Sequence, residues 1–521
     1  MKQWIRAAAF WIVCVCATVG LYVVTRRVAE TDKLAKLALE LTTGYQVKQM
    51  VVSVLLYAAG YLLIILLNIP IQKGWIFFLA YPAGLVSWCI LSYFVTLLGI
   101  PYNSMTMLII TIVFLTGMMV RTAFICRKDD WKDFAQTILY FSGVSALVSS
   151  GILTILLSFD SSYFIMKYGE LLVLNGGFGE SVKTWMQWTG LMPAYFSSLA
   201  YMSGFENIFT IHHMLIISFG GFFFLSILEQ IQKCSFSKRK TWCLATAVTV
   251  FLLLTAPFHL MAQFIISNTY VMVYMYLLVV LSYKMTELPA NAKRGMVILL
   301  GMITVMLTLC RAETCTVVCF LIVCISTLQI GNKELYWALL FPTGFAQITY
   351  WIKMIWVTGI PDSDQMGIKT VIVMGGVYLG TVIYVFFIRK AVKSLFKDKL
   401  PAVMMLGLAA AGVVLLIVKS SRAVINLDAE FYNIANEFWG PFPWIALLLC
   451  IILIYYAKKF ETGDLIWLGY IVFNFAICMC RFNDLRKGFG DSYNRILCGI
   501  VPLFLWVMTR HYVEHCNAEK L

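Results

Sequence analysis

The sequence predicts an all-α, polytopic transmembrane helical bundle of about fourteen to sixteen spans. Of the 521 residues, 61% are hydrophobic and 13% are charged, and mean hydropathy is +0.85. A soluble globule needs more polar surface than this composition supplies. The apolar runs are roughly 18 to 22 residues long without strict alternation, which favours helices over barrel strands because backbone amides in a bilayer must be bonded internally.

The first apolar stretch, Ala7 to Val24, follows Lys2 and Arg6. It is predicted to be an uncleaved first helix, because no small-x-small cleavage site precedes Thr25 and many spans follow. The remaining predicted spans begin near Met50, Gly74, Met105, Gln136, Ile208, Trp242, Thr269, Gly295, Thr314, Glu334, Ile368, Leu400, Pro443, Leu465 and Ile496.

Basic residues predict the orientation of these spans. The connections 234–241 and 389–399 are densely basic, whereas the connection around Pro101 is uncharged and Pro361-Asp362-Ser363-Asp364 is acidic. Because positively charged loops stay in the cytoplasm, both termini are predicted to be cytoplasmic and the loop 160–207 extracytoplasmic.

One segment departs from this charge pattern. Thr25 to Gln49 is basic yet lies on the predicted outer side. Its leucines and charges have helical spacing, which predicts an amphipathic helix on the outer membrane surface. If the segment is cytoplasmic instead, the first span is either re-entrant or miscounted.

Charge and cysteine usage exclude other classes. The net charge of +14 is dispersed over short loops rather than gathered on one face, which favours orientation signals and anionic-lipid contacts over nucleic-acid binding. Most of the 15 cysteines lie in apolar segments, where thiols act as small hydrophobes. Cys14-x-Cys16 and Cys478-x-Cys480 lack partners at zinc spacing, and no motif supports a divalent metal. His212 and His213 are predicted to be satisfied or interfacial histidines rather than ligands.

The loop 160–207 contains the first candidate block for chemistry. Asp160 follows the apolar run Gln136 to Phe159 directly, so its carboxylate is expected near the water boundary, where it can stay ionised. The block reads Ser158-Phe-Asp160-Ser-Ser-Tyr163, and the loop returns through a predicted amphipathic helix, Trp188-Thr-Gly-Leu-Met-Pro-Ala-Tyr195.

Two further blocks place arginines at predicted outer ends of spans. They are Leu307-Thr-Leu-Cys-Arg311-Ala-Glu313 and Ser492-Tyr-Asn-Arg495, the second followed by an apolar run to Pro502. In order and in shared outward position, the three blocks resemble the C-type (GT-C) fold of integral-membrane glycosyltransferases, whose donors are polyprenyl-phosphate sugars.

This resemblance implies a division of the chain and a role for each residue. Residues 135–521 correspond to a GT-C-like core, and residues 1–134 to an N-terminal addition of four spans, because the acidic loop follows the fifth span rather than the first. A paired acidic motif is absent, which leaves Glu170, Glu180 and Glu206 as more distant carboxylates.

Within that core, Asp160 is the expected general base for the acceptor hydroxyl in an inverting transfer without a covalent intermediate. Arg311 and Arg495 are expected to stabilise the phosphate leaving group. Further expected phosphate contacts are Lys419, Arg422 and Arg486, and expected acceptor or sugar contacts are Tyr163, Glu170, Trp188, Tyr195 and Glu313.

Each residue also has a structural alternative. Asp160 is in a position to end or cap a helix, Arg311 to pair with Glu313, and Arg495 to snorkel or pair with Asp491. Trp188 and Tyr195 are equally suited to anchoring at the membrane interface.

Two other functions remain open on the sequence. A lipid-linked oligosaccharide flippase or transporter requires charged groups near mid-span, broken helices or repeats. A glycan polymerase or ligase depends on basic outer loops, and 419–439 and 481–495 are such loops. The expected partners are a lipid-linked sugar donor, an envelope glycan, lipid or protein acceptor, and membrane lipids.

Overall fold

The computed structural model describes residues 2–31, 46–125, 128–149, 159–179, 190–204, 209–234, 236–254, 258, 267–311, 314–328, 333–358, 368–396, 399–436, 445, 448, 451–452, 465–480, 487 and 492–518. All regular secondary structure in these ranges is helical. The predicted all-α class is therefore confirmed.

Helices account for most of the described residues. They are α1 (Lys2–Ala29), α2 (Gln46–Leu66), α3 (Lys73–Leu97), α4 (Ser104–Ile125), α5 (Lys128–Val148), α6 (Phe159–Leu174), α7 (Leu191–Met202), α8 (Phe209–Gln232), α9 (Lys238–Leu254), α10 (Ser267–Glu287), α11 (Ala290–Thr308), α12 (Thr314–Leu328), α13 (Lys333–Thr358), α14 (Ile368–Ile383), a π-helical turn (Tyr384–Ile388), α15 (Arg389–Phe396), α16 (Leu400–Val418), α17 (Ser420–Ala435), α18 (Leu465–Cys480) and α19 (Ser492–Ala518).

A helix occupies, or begins next to, each predicted span start except Pro443, which lies outside the described residues. Within the described ranges, seven helices are long and apolar enough to cross a membrane, or eight if one bent pair forms a single span. The protein is therefore a multi-pass membrane protein. The number is below the predicted fourteen to sixteen, because helices such as Thr314–Leu328 are short and Lys128–Val148 begins with a charged turn.

The chain divides into two compact units. The first comprises residues 1–222, 262–319 and 333–378, and the second comprises residues 223–261, 320–332 and 379–521. The four helices predicted as an N-terminal addition thus share the first unit with α6, α7 and α10.

Close contact between α2 and α3 is a main feature of the first unit. A Cβ on Gly60 would lie 1.8 Å from the carbonyl oxygen of Ala80, and one on Gly84 would lie 1.8 Å from that of Leu56. Glycine at both positions lets the two backbones touch, a packing mode common between membrane helices. Helix α10 is buried along almost its whole length in the same unit.

Helix ends in the first unit form two groups. At one end, Thr210 of α8 bonds Gln49 of α2, and Lys353 of α13 donates to the carbonyl of Leu97 at the end of α3 (3.4 Å). At the other end, Lys73 of α3 pairs with Asp133 of α5. Ends that the charge pattern assigns to one side of the membrane are therefore together.

In the second unit α16 is followed by α17 at a sharp bend of 102°. Helix α18 packs against both helices, and Ala423, Ala429, Cys478 and Met479 form a small apolar cluster between α17 and α18. The predicted loop Lys419 to Trp439 is corrected here, because Ser420–Ala435 is a helix with Ala423, Asn426, Ala429, Glu430 and Asn433 buried along one face.

Two other sequence predictions change, and a third falls largely outside the described residues. Asp160 is the second residue of α6 rather than the start of an extended loop. The predicted amphipathic helix is present as α7, but residues Leu191 to Ala200 are all buried, so it packs inside the first unit instead of exposing a polar face. Of the basic segment Thr25 to Gln49, residues 32–45 lie outside the described ranges.

Candidate functional site

The turn that joins α11 to α12 lies against the N-terminus of α7. The amide nitrogens of Leu191 and Met192 donate to the carbonyl oxygen of Leu309, at 3.0 and 3.1 Å. The first amides of a helix have no partners within the helix, and α7 has no side-chain cap at Gly190. Leu309 therefore satisfies these amides and holds the start of α7 beside the Arg311 turn.

Gly190 makes this contact possible. Its φ is +72°, a left-handed conformation, and an added Cβ would lie 2.3 Å from the carbonyl oxygen of Cys310. Residues with a side chain rarely adopt such a φ. Both the backbone conformation and the available space therefore require glycine at the start of α7.

Arg311 extends from the same turn to the head of α10. Its Nη1 donates to Oδ1 of Asn268 at 2.6 Å and to Oγ of Ser267 at 3.2 Å. Thr314, the first residue of α12, closes the turn by donating from Oγ1 to the carbonyl of Arg311 at 2.6 Å. The guanidinium is thus held by neutral oxygens at the first two positions of α10.

Helix N-termini concentrate positive potential at this turn. Helices α10 and α12 both begin there, and each helix N-terminus carries about half a positive charge. The first amides of α7 are already bonded to Leu309. The guanidinium of Arg311 adds a full, permanent charge with planar geometry suited to phosphate and carboxylate. The arrangement is chemically competent to bind an anion.

Aromatic and imidazole side chains are buried beside α7 and α10. The Tyr270 ring lies 5.0 Å from Phe196 and 5.7 Å from His212, centroid to centroid. His212 and His213 are both buried in the protein. Among the described residues, the Tyr270 hydroxyl has no hydrogen-bond partner.

Tyr195, a predicted acceptor contact, lies in the interior. Its side chain is fully buried, its Oη is 2.6 Å from Oγ1 of Thr96, and its carbonyl accepts a hydrogen bond from Nε1 of Trp88. Burial raises the pKa of the Tyr195 hydroxyl well above its usual value, so it stays neutral. This geometry joins α7 to α3.

Glu170, also a predicted acceptor contact, is partly exposed on α6. It forms an ion pair with Lys167 one turn earlier, at 2.8 Å. The following helix approaches closely, because a Cβ on Gly169 would lie 2.3 Å from the amide nitrogen of Ser198. The Glu170 carboxylate is therefore on a helix, α6, that packs closely against α7.

The remaining predicted residues of the first unit have no described side chains. Asp160 and Tyr163 belong to the first two turns of α6. Trp188, Glu313, Glu180 and Glu206 lie outside the described residues. The structure thus joins the Arg311 turn to the start of α7, and the direction of the Asp160 carboxylate remains a prediction.

The second unit contains the other predicted cations. Lys419 stands exposed at the bend between α16 and α17, and Arg422 is half-buried one turn later. Arg495 lies in the first turn of α19 with its side chain outside the described part, and Arg486 is likewise outside it.

Glu430 is the polar feature of the second unit that sequence reasoning missed. It is only 5% exposed, and its Oε1 accepts a hydrogen bond from Nδ2 of Asn494 at 2.9 Å. Nearby, Nδ2 of Asn426 donates to the carbonyl of Met479 at 2.9 Å. The four-residue spacing of Asn426 and Glu430 is the sequence signal for this buried polar face.

No group of three or more His, Cys, Asp or Glu side chains within the described ranges is arranged to hold a metal ion. Comparison with protein families, curated proteins and solved structures finds no match to the chain.

Proposed function

We propose that the protein is a membrane glycosyltransferase that moves a sugar from a polyprenyl-phosphate donor to an envelope glycan, lipid or protein acceptor on the extracytoplasmic face. The observation that carries this proposal is the docking of the Arg311 turn onto the N-terminus of α7 through Leu309. Two of the three blocks that resemble the GT-C fold are distant in sequence, yet they are in direct contact.

The proposed donor phosphate lies at the Arg311 turn. When the glycosidic bond to phosphate breaks, the leaving group takes the bonding electron pair and gains negative charge. Hydrogen-bond donors and cations that are already oriented towards that charge lower the activation barrier, because they do not have to reorganise during the reaction. Arg311, held at the head of α10 by Asn268 and Ser267, supplies such a charge.

Asp160 is the proposed general base. The acceptor oxygen attacks the anomeric carbon from the face opposite the phosphate, and its proton passes to the Asp160 carboxylate, which gives inversion in one step. A positioned base contributes roughly 10²–10⁴ in rate. Asp160 lies in the first turn of α6. The next helix along the chain, α7, contacts the Arg311 turn.

Arg495, Arg422, Lys419 and Arg486 are proposed as further phosphate contacts, and Tyr163, Glu170, Trp188 and Glu313 as acceptor contacts. Tyr195 is left out because its hydroxyl bonds Thr96 in the interior. Both termini are proposed to be cytoplasmic, since the basic connections 234–241 and 389–399 then face the cytoplasm.

The test uses membrane vesicles containing the full-length protein, an acceptor-bearing envelope fraction, and a panel of radiolabelled polyprenyl-phosphate hexoses and pentoses. Asp160→Asn and Arg311→Ala are each expected to lower transfer by about 10²–10³. Arg121→Ala, which removes an exposed cation at the far end of α4, is the matched control and keeps full activity.

Full transfer by well-folded Asp160→Asn protein contradicts the proposed mechanism. Movement of the labelled lipid across the vesicle membrane without a new glycosidic bond identifies a flippase instead. Transfer of preassembled oligosaccharides but not of single sugars identifies a polymerase or ligase.

A further inference from the structure

A cavity of about 350 Å³ lies between α2, α3, α4 and the C-terminal end of α7 in the first unit. Its volume falls in the range of roughly 300–1,000 Å³ that is usual for ligand sites. Leucine, methionine, valine and phenylalanine side chains supply most of the lining, and Trp88 and Ser87 contribute from α3. The Arg311 turn does not line it.

The cavity is elongated along the helix axes. On α4 the lining runs from Ser104 to Leu115, a distance of ~16 Å at about 1.5 Å per residue. On α2 it runs in the same chain direction, from Val52 to Ala59, and Ala59 packs with Phe114 and Leu115 at the far end. A slot of this shape and composition fits an extended hydrocarbon chain better than a compact polar ligand.

The slot opens sideways towards the surrounding lipid. Two of its lining side chains, Leu55 on α2 and Leu108 on α4, are 48% and 56% exposed. The adjoining outer face of α4 is apolar and exposed at Ile109, Ile112 and Val113. A lipid can therefore enter from the bilayer without crossing a polar barrier.

One end of the slot is polar and cationic. Ser104 and Ser203 line that end, and the Lys48 ammonium lies 3.8 Å from the position of a Cβ on Gly204, the next residue. Lys48 is also one turn before Val52 on α2. No carboxylate in the described part of the chain pairs with Lys48.

We infer that this slot binds an anionic phospholipid. One acyl chain fills the cavity, the phosphate faces Lys48 with the two serine hydroxyls beside it, and the second chain rests on the exposed face of α4. A basic residue near the membrane surface favours anionic lipids by about 1 kcal/mol, or about fivefold in affinity. The inference does not depend on the proposed transferase activity, because it rests on different residues.

The test is native mass spectrometry of the purified full-length protein, titrated in detergent with dioleoyl phosphatidylglycerol or with dioleoyl phosphatidylcholine. The wild-type protein is expected to bind one phosphatidylglycerol at least about fivefold more tightly than phosphatidylcholine. Lys48→Gln is expected to abolish that preference. Leu108→Trp is expected to fill the slot and to weaken binding of both lipids about tenfold.

Two matched controls identify the site. Lys238→Gln removes an exposed lysine from α9. Val373→Trp adds bulk at an exposed position of α14, a helix that contributes no residue to the slot. Both variants are expected to behave like wild type. Leu55→Trp fills the slot from the opposite helix and provides a second blocking variant if Leu108→Trp elutes as an aggregate.

Equal binding by the slot-filling variants and by Val373→Trp overturns the site. A retained lipid preference in Lys48→Gln overturns the headgroup contact. Farnesyl phosphate serves as the competing probe. If it displaces the bound lipid at lower concentration than added phosphatidylglycerol does, the slot belongs to a prenyl phosphate and the phospholipid assignment is wrong.

Discussion

Nη1 of Arg311 donates a 2.6 Å hydrogen bond to Oδ1 of Asn268, so the guanidinium from one connection is fixed at the first turn of α10. The two residues are 43 positions apart in sequence. Asn268 is a neutral amide, so this contact is a hydrogen bond to a cation rather than an ion pair. Substitutions of Asn268 can therefore test separately the anchoring of Arg311 and the effect of its charge.

Asn268→Asp is predicted to retain the anchor and to place a carboxylate against the guanidinium. An anionic donor then competes with that carboxylate, and transfer at low donor concentration should fall on the order of tenfold, equivalent to about 1.4 kcal/mol. Vesicle transfer assays and the midpoint of thermal unfolding (Tm) measure the two effects separately.

Asn268→Ala is the companion variant, because it removes the anchor and adds no charge. If Asn268 only stabilises the fold, the alanine variant has the lower Tm and the aspartate variant transfers normally. That pattern contradicts an anion site at the Arg311 turn.

Tyr195→Phe is predicted to lower stability but not activity. The lost bond to Thr96 is internal, and Thr96 also lies 2.9 Å from the carbonyl oxygen of Ser92, so its own donor stays satisfied. The expected cost is about 0.5–1.5 kcal/mol, measured as a lower Tm. Tyr201→Phe, a more exposed change on α7, is the control. A loss of transfer without a loss of stability would return Tyr195 to the acceptor site.

Gly190→Ala is predicted to destabilise the first unit strongly. Alanine adds a Cβ at a φ of +72° and at 2.3 Å from the carbonyl oxygen of Cys310. Backbone strain of this type costs roughly 1–3 kcal/mol, and displacement of the turn adds to it. The Tm should fall, and transfer should fall with it because Arg311 moves.

The control for this variant is Gly375→Ala in α14, where an added Cβ meets nothing within 4 Å. Alanine in a helix interior is favoured over glycine by roughly 0.5–1 kcal/mol, so the Tm is expected to stay level or to rise. Equal effects of the two variants contradict a specific role for Gly190 at the start of α7.

Helix positions followed from the sequence because hydrophobic length and charge are local properties. Met105 and Leu400, for example, lie at or next to the first residue of an observed helix. For α6, α7 and α17 the sequence predicts loops or an interfacial helix. Charged residues such as Asp160 and those after Lys419 are typical of solvent-exposed segments when only the linear sequence is considered. The burial of these helices comes from packing against elements distant in sequence.

The site itself was predictable only in part. Arg311 stood out because a cation at a predicted outer helix end opposes the orientation rule. Its partners Ser267 and Asn268 and the Leu309 carbonyl under α7 are non-local and neutral, so no charge or periodicity marks them. The sequence predicts Glu430 to be one of the charges of an outer loop. Its burial depends on the packing of α17 against α18 and α19, which the local sequence does not indicate.

The buried Glu430 in the second unit gives the last prediction. Its Oε1 accepts from Nδ2 of Asn494 and so ties α17 to the start of α19. Glu430→Gln retains an acceptor oxygen of the same reach, whereas Glu430→Leu removes it and leaves the Asn494 donor facing an apolar group. Leaving a buried polar group unsatisfied costs about 1–3 kcal/mol, so the Tm should fall further for leucine than for glutamine.

Asp428→Asn is the matched change on the same helix. Asp428 is 78% exposed and lies 3.7 Å from Lys487, and an exposed ion pair of this kind contributes about 0–1 kcal/mol. Its Tm is therefore expected to remain near that of wild type. A Glu430→Leu protein as stable as Asp428→Asn contradicts a structural bond between α17 and α19, because the buried amide would then have found water or another partner.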